Sequence, residues 1–148
     1  KSFYVQDGLG IQLLRQAGIP IAIISGRDSK VTAARAKDLK IDFLMQGAQD
    51  KGAALKQLMI DAQVTPQQCA YMGDDVIDLP ILRAVGFASS VPNGHVLAQR
   101  VAHWVSSTGG GAGAVRELAE LILFAQDKLD NAYAAYLYDE QHPKLDIM

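Results

Sequence analysis

One apolar run limits the folds open to this chain more than any other segment. Residues 19–24, Ile-Pro-Ile-Ala-Ile-Ile, are mostly β-branched and end at the polar turn Ser25-Gly26. A continuous apolar run of this kind is typical of a strand covered on both faces, as in parallel sheets flanked by helices. Further short apolar runs at 41–45 and 69–72 alternate with segments of helical pattern. The sequence therefore predicts an α/β fold, a three-layer sandwich with a mostly parallel sheet and right-handed crossovers.

Apolar spacing and turn residues set the expected bounds of the elements. We expect helices at 7–17, 51–62, 79–85, 92–100 and 115–138. A further helix is expected to begin at a cap formed by Asp28 or Ser29 and to end at 39. Strands are expected at 19–24, 41–45, 69–72, 86–88 and 103–105. We expect one domain over residues 1–140 and a patternless tail at 141–148.

The longest expected helix, 115–138, carries the features that bear on assembly. Its apolar stripe consists of Val115, Leu118, Ile122, Ala125 and Leu129. Three tyrosines near its end, Tyr133, Tyr136 and Tyr138, have little of the domain left to cover them. Exposed aromatic side chains of this kind suggest contact with another subunit.

Composition and charge exclude several classes of protein. A net charge of −2 over 148 residues gives no reason to expect nucleic acid or an anionic membrane as partner. The apolar runs are too short to span a bilayer, and no secretory signal pattern opens the chain. The single cysteine, Cys69, cannot form an internal disulfide and fits a reducing compartment. We expect a cytoplasmic protein.

Three carboxylates crowd the turn after the third expected strand, in Gly73-Asp74-Asp75-Val76-Ile77-Asp78. Because like charges this close repel one another, the cluster is costly unless a cation lies among them, and oxygen ligands suit Mg²⁺. The alternative is that Asp75 or Asp78 only caps the helix that begins at 79.

Polar residues follow each of the first three strands: Ser25-Gly26-Arg27, the turn from 47 to Lys51, and Asp74-Asp75. Ligands of open α/β sheets bind outside the carboxyl ends of the strands. A hydroxyl, a lysine and a carboxylate cluster at this edge describe a pocket for a phosphoryl group, with Mg²⁺ offsetting its charge. Arg27 and Arg35 add forked donors for a phosphate or a carboxylate.

Each of these residues also has a plainer interpretation. Ser25 is equally suited to a local backbone hydrogen bond, and Lys51 and the arginines to a solvated surface. Asp7-Gly8 fits a turn with a cap, and the glycine run 109–113 is weak evidence for an anion site. The histidines His95, His103 and His142 lack metal-ligand spacing, and no nucleophile elbow or nucleotide phosphate loop occurs.

The order Ser, Lys, Gly-Asp-Asp-x-x-Asp resembles motifs two, three and four of the haloacid dehalogenase superfamily of phosphohydrolases. Within it the chain is similar to the 3-deoxy-D-manno-octulosonate 8-phosphate phosphatases of lipopolysaccharide biosynthesis. The matching segments are 3–11 (Phe-Tyr-Val-Gln-Asp-Gly-Leu-Gly-Ile), 24–27, Gln46-Gly47 with Lys51, 71–80 and 110–117.

The resemblance implies roles for particular residues. Ser25 and Lys51 would bind the transferring phosphate, Asp74 would ligate Mg²⁺, and Asp75 and Asp78 would support the site. The positions that match contacts to the phosphorylated sugar acid are Asp7, Gly8, Gly26, Arg27 and Arg35. The family's fold is compact, without a large cap domain, and it assembles as a homotetramer.

Some positions depart from that branch. Gln6 and Gln12 stand where arginines are usual, and Ala112 replaces a basic residue. The family's first motif, Asp-x-Asp, supplies its nucleophile and general acid, and no Asp-x-Asp occurs in this sequence. We therefore expect this chain by itself to lack turnover. We also expect it to lack one central strand and the hairpin after that strand, and to be part of a longer enzyme.

Two other classes of protein compete with the phosphatase interpretation. One is a non-catalytic module of the same fold that serves oligomerisation or ligand binding. The other is a phospho-receiver domain, which is disfavoured because its acidic pair comes first and its lysine last, the reverse of the order here.

Overall fold

The computed structural model describes residues 5–137. The helices are α1 (Val5–Gln16), α2 (Lys30–Asp38), α3 (Lys51–Ala62), α4 (Leu79–Ala84), α5 (Val96–Val101), α6 (Ala114–Ala125), α7 (Leu129–Ala132) and α8 (Ala134–Leu137). The strands are β1 (Ala22–Ile24), β2 (Phe43–Met45), β3 (Ala70–Met72), β4 (Phe87–Ser90) and β5 (Trp104–Val105). Some expectations fall outside the described residues. They concern Phe3 and Tyr4 in the first matching segment, Tyr138, and the tail at 141–148.

Every strand pair in the described part of the chain is parallel. β1 lies beside β2, with Ile23 opposite Leu44. β4 lies between β3 and β5, with Ala70 opposite Phe87 and Ser89 opposite Trp104. Within residues 5–137 the strands form one sheet of two and one of three. The predicted α/β fold with parallel pairing is confirmed.

The first predicted strand is shorter than the apolar run that suggested it. β1 covers only residues 22–24, and Ala22 is exposed, so the prediction of a strand buried on both faces is wrong for the described residues. Ile19 and Ile21 pack instead against the cluster between α1 and α6. The Ile21 backbone N–H also donates to the Asp42 side chain at 2.7 Å, which aligns this segment with the start of β2.

The predicted helix 115–138 is also wrong, because the chain turns after α6. Asp127 has φ 57°, in the left-handed region. The Asp127 N–H donates to the carbonyl of Phe124, and the Lys128 N–H donates to that of Leu123. This pair of bonds is a Schellman motif, which ends a helix at a left-handed residue. The shorter helices α7 and α8 follow.

A similar difference affects the predicted helix 92–100. The Val91 carbonyl accepts the Gly94 N–H across a turn, and α5 begins only at Val96. His95 caps this helix, since its Nδ1 accepts the Leu97 N–H at 3.1 Å. The turn before α5 therefore places His95 beside the loop that follows β3.

Two apolar clusters form the core of the described residues. The first joins α3, α4, β4 and α5 through Leu55, Ile81, Leu82, Val85, Ala88 and Ala98. The second joins α1, α6 and α7 through Leu13, Leu14, Ala119, Leu123 and Leu129.

The contact between α1 and α6 depends on a glycine. A Cβ at Gly10 would lie 3.0 Å from the Arg116 Cα and 3.2 Å from the Ala119 Cβ. The two helices therefore approach closely where α1 has no side chain, and this brings Asp7 to the first turn of α6. Among the helices of residues 5–137, none is long and apolar enough to cross a membrane.

Candidate active site

A buried ion pair lies where the second and third strand-end loops meet. Lys51 begins α3 and Asp78 precedes α4, and they are 8% and 3% exposed. The Lys51 Nζ donates to the Asp78 Oδ1 at 2.6 Å. The hydroxyl of Tyr71, on β3, donates to the same oxygen at 2.6 Å. Burial of a carboxylate is tolerated here because its charge is paired and hydrogen-bonded.

The second oxygen of Asp78 holds the loop after β3. The backbone N–H groups of Asp74 and Asp75 donate to the Asp78 Oδ2 at 2.9 and 3.1 Å. Asp75 caps the 3₁₀ turn Val76–Asp78, with its Oδ1 accepting the Val76 N–H at 2.7 Å. The capping alternative is therefore wrong for the helix at 79: Asp75 caps the preceding 3₁₀ turn, and Asp78 occupies the N-cap position of α4 without a side-chain capping bond.

The pKa values of this cluster follow from these contacts. Burial by itself would raise the pKa of Asp78, but hydrogen bonds from Lys51 and Tyr71, the Lys51 charge and the Asp74 N–H outweigh it, and the pKa is lowered. The pKa of Tyr71 is raised, first by burial and then by its bond to Asp78 and the charges of Asp78 and Asp74. Asp78 is therefore ionised and Tyr71 protonated at neutral pH.

Asp74 differs from its two neighbours in the cluster. It is exposed, and its carboxylate accepts no hydrogen bond from residues 5–137. Within that range no three His, Cys, Asp or Glu side chains come together closely enough to hold a metal ion. Mg²⁺ is commonly bound by one or two carboxylates together with waters and substrate phosphates. Asp74 fits that role as a single carboxylate ligand.

The loop after β1 joins the same region. The Ser25 Oγ accepts the Arg27 N–H and donates to the Arg27 carbonyl, both at 3.2 Å. The Ser25 carbonyl accepts the Ala48 N–H at 2.9 Å, which ties this loop to the one after β2. A Cβ at Gly26 would lie 3.9 Å from the Ile77 Cδ1, one residue before Asp78. Ser25 thus makes the local bond the sequence allowed and lies beside the Lys51–Asp78 region.

Two further loops extend this edge. The His95 N–H donates to the Asp74 carbonyl at 2.8 Å. In the glycine run, the Gly110 N–H donates to the Asn93 Oδ1 at 2.9 Å, so that N–H is engaged with protein rather than directed at an anion. The sequence analysis did not assign Tyr71, Asn93 and His95 to this edge of the sheet. These residues contact loops that are distant in the sequence, and no local sequence pattern indicates such contacts.

Asp7, Gly8 and Arg35 form a second group around α1. The Asp7 Oδ1 accepts the Arg116 N–H at 3.0 Å, in the first turn of α6. This places a negative charge where the helix N-terminus favours it and satisfies one of the free N–H groups there. A Cβ at Gly8 would lie 2.9 Å from the Arg35 Nη2. Asp7 thus has a structural capping role in addition to its predicted substrate role.

Glu117 holds the segment that leads into the glycine run. Its Oε1 accepts the N–H and hydroxyl of Ser107 at 2.9 and 3.0 Å. Its Oε2 accepts the corresponding groups of Thr108 at 3.2 and 3.0 Å. Desolvation would raise the pKa of Glu117, but these four bonds lower it. Gly113, with φ 110°, then starts α6 in a conformation that favours glycine.

The comparisons with known proteins agree with this arrangement. The model of the haloacid dehalogenase-like hydrolase family matches residues 30–118, which include Lys51 and the carboxylate cluster. The chain belongs to this family of hydrolases.

Its relatives include sugar-acid phosphatases. A 3-deoxy-D-manno-octulosonate 8-phosphate phosphatase from Yersinia pestis is 46% identical over 132 residues, which cover 89% of this chain and 71% of the relative. The crystal structure of the Moraxella catarrhalis phosphatase of that name, with magnesium, phosphate and KDO, has a TM-score of 0.90 and 47% identity. The match covers 92% of this chain and 78% of the Moraxella chain.

A third relative was solved with a different metal. The cobalt-bound Haemophilus influenzae deoxy-D-mannose-octulosonate 8-phosphate phosphatase has a TM-score of 0.85 and 43% identity, with 88% of this chain covering 76% of it.

The buried pair is expected to dominate local stability. Asp78→Ala leaves the Lys51 ammonium buried without its carboxylate, which should lower the free energy of unfolding by about 3–5 kcal/mol. The matched control, Asp75→Ala, removes only a cap and should cost about 0.5–2 kcal/mol. Urea denaturation of both variants measures the difference, and equal losses would contradict this assignment.

Glu117 should make stability depend on pH in the acid range. Because its folded pKa lies below the ordinary value of 4.5, its contribution is complete above that value and is lost as the pH falls through the folded pKa. Glu117→Gln should therefore cost about 1–3 kcal/mol at neutral pH, and the difference from wild type should shrink on acidification. Melting temperatures of both proteins across that range test this, with the exposed Asp38→Asn as control. A pH-independent difference would count against it.

Proposed function

We propose that this chain carries the phosphate- and metal-binding part of a Mg²⁺-dependent phosphatase. Its substrate would be 3-deoxy-D-manno-octulosonate 8-phosphate, an intermediate of lipopolysaccharide biosynthesis. The observation that carries the proposal is the buried Lys51–Asp78 pair beside the exposed carboxylate of Asp74. The named activity of the Yersinia and Moraxella relatives supports the choice of substrate.

Each residue of the proposed site has a distinct task. The Ser25 hydroxyl and the Lys51 ammonium would donate to non-bridging oxygens of the phosphoryl group, holding it at the carboxyl edge of the strands. Asp74 would hold Mg²⁺, which supplies charge neutralisation when bound. Asp75 and Asp78 support the site indirectly, since Asp75 caps its turn and Asp78 orients Lys51.

The sugar-acid part of the substrate would contact Gly26, Arg27, Arg35, Asp7 and Gly8. Arg27 supports this because it is exposed and adjoins the Ser25 turn through its own N–H. Gly8 supports it because the absence of a side chain leaves room for the Arg35 guanidinium. A guanidinium is suited to a sugar-acid carboxylate because its fork can bond both oxygens.

We further propose a homotetramer that acts in the cytoplasm. The support for assembly is the exposure of two aromatic side chains, Phe124 on α6 and Tyr136 on α8, which are 50% and 71% exposed. The support for location is Cys69, a free thiol with burial raising its pKa. Recovery of the full-length gene product from the periplasm would contradict that location.

The activity is tested on the full-length gene product with the octulosonate 8-phosphate and Mg²⁺. Phosphate should be released, and chelation with EDTA should abolish release until Mg²⁺ is restored. Lys51→Ala and Asp74→Ala should each lower kcat/KM by at least about a hundredfold, in the range for loss of a charge-stabilising group. Lys56→Ala, an exposed lysine in the same helix, and Asp38→Ala are the matched controls.

Full activity in both site variants would refute the site assignment. Binding without turnover in the wild-type full-length product would favour the non-catalytic module instead.

Assembly is tested by the mass of the protein in solution. Light scattering should give a tetramer for the full-length product, and Tyr136→Glu should shift it toward smaller species because a charge would enter an apolar contact. Glu120→Lys, a charge change on α6, is the control. A wild-type monomer at assay concentration would rule out this part of the proposal.

A further inference from the structure

We propose that Tyr71 is a positioning residue for Lys51, an inference that rests on the phosphatase function proposed above. Tyr71 lies on β3, half-buried against the cluster that contains Leu55 and Ile81. Its hydroxyl is the one part of the side chain that meets the site. None of the sequence motifs assigned it a role in the chemistry.

The three polar groups form a closed triangle. The Lys51 Nζ and the Tyr71 hydroxyl each lie 2.6 Å from the Asp78 Oδ1, and they lie 3.3 Å from each other. The tyrosine thus donates to the carboxylate and accepts from the ammonium. Within the described chain, Lys51 is held by two fixed points rather than one.

Two fixed points restrict an ammonium more than one does. A lysine ammonium carries three N–H donors and, with a single acceptor, is free to swing about it. Because the Asp78 Oδ1 and the Tyr71 hydroxyl lie on the same side of the ammonium, 2.6 Å from each other, together they orient the Lys51 Nζ, and N–H donors remain on its other side. Those remaining donors are the ones available to a phosphoryl oxygen.

The hydroxyl also divides the charge of Asp78. Since Oδ1 accepts from both a cation and a phenol, the phenol takes part of the negative charge that would otherwise neutralise Lys51 alone. The raised pKa of Tyr71, due first to burial and then to Asp78, keeps the phenol protonated and therefore a donor. Lys51 keeps more of its charge for the substrate.

Tyr71→Phe isolates this role, because the ring keeps its place in the core and only the oxygen is lost. Asp78 retains Lys51 on one oxygen and two backbone N–H groups on the other, so no buried group loses all its partners. The stability control is Val85→Ala, which removes buried methyl groups from the same cluster and is not among the residues assigned to the site.

The experiment measures binding of inorganic phosphate in the presence of Mg²⁺ by calorimetry, using the full-length gene product. Tyr71→Phe should raise the Kd about three- to tenfold, the effect of one hydrogen bond at a charged group. Val85→Ala should lower Tm but leave the Kd within about twofold. Lys51→Ala gives the upper limit for the increase in Kd, because it removes the ammonium altogether.

The outcomes separate this inference from the function on which it rests. If wild type binds phosphate and Tyr71→Phe binds it equally well, the positioning role is overturned and the phosphatase proposal stands. If wild type binds no phosphate with Mg²⁺, both fall.

Discussion

The candidate site depends on one electrostatic interaction, the pairing of Lys51 with Asp78 where both are largely shielded from water. Each of these charges alone would be costly at its depth, since the desolvation of an ion amounts to several kcal/mol. Together they are compatible with burial because Asp78 is also hydrogen-bonded by Tyr71 and by two backbone N–H groups. The pair therefore joins the start of α3, the middle of β3 and the loop before α4 into one unit.

The other loops of this edge are connected to that unit through backbone hydrogen bonds. The Asp74 carbonyl accepts from His95, and the Asn93 side chain accepts from Gly110, so the loops after β3, β4 and β5 form a chain of contacts. On the other side, the Ser25 carbonyl accepts from Ala48. Because backbone groups carry these links apart from the one made by the Asn93 side chain, most side chains of the loops are not used for support and can face a ligand.

The sequence was sufficient for element types and for the order of the site residues. Helix α3 was predicted with both of its bounds, since apolar residues recur there at helical spacing, and the structure adds Asp50 as its cap. The break after α6 was not predicted, because a left-handed Asp127 leaves the apolar stripe of that region unchanged. Likewise no local pattern indicates that Tyr71 reaches Asp78, since that contact depends on how β3 lies against the turn that follows it.

The three carboxylates of the Asp74–Asp78 turn show how environment separates identical groups. Their mutual repulsion suggested a shared cation, yet the structure gives two of them different protein partners. Asp78 is neutralised by Lys51, and Asp75 is held by the N–H of Val76. Asp74 alone retains an exposed carboxylate with no bond to the described chain. A cation that binds at this turn therefore contacts one exposed carboxylate, that of Asp74. The neighbouring cation, Lys51, already shares its charge with Asp78. Such a site favours a ligand that brings its own negative oxygens, as a phosphate ester does.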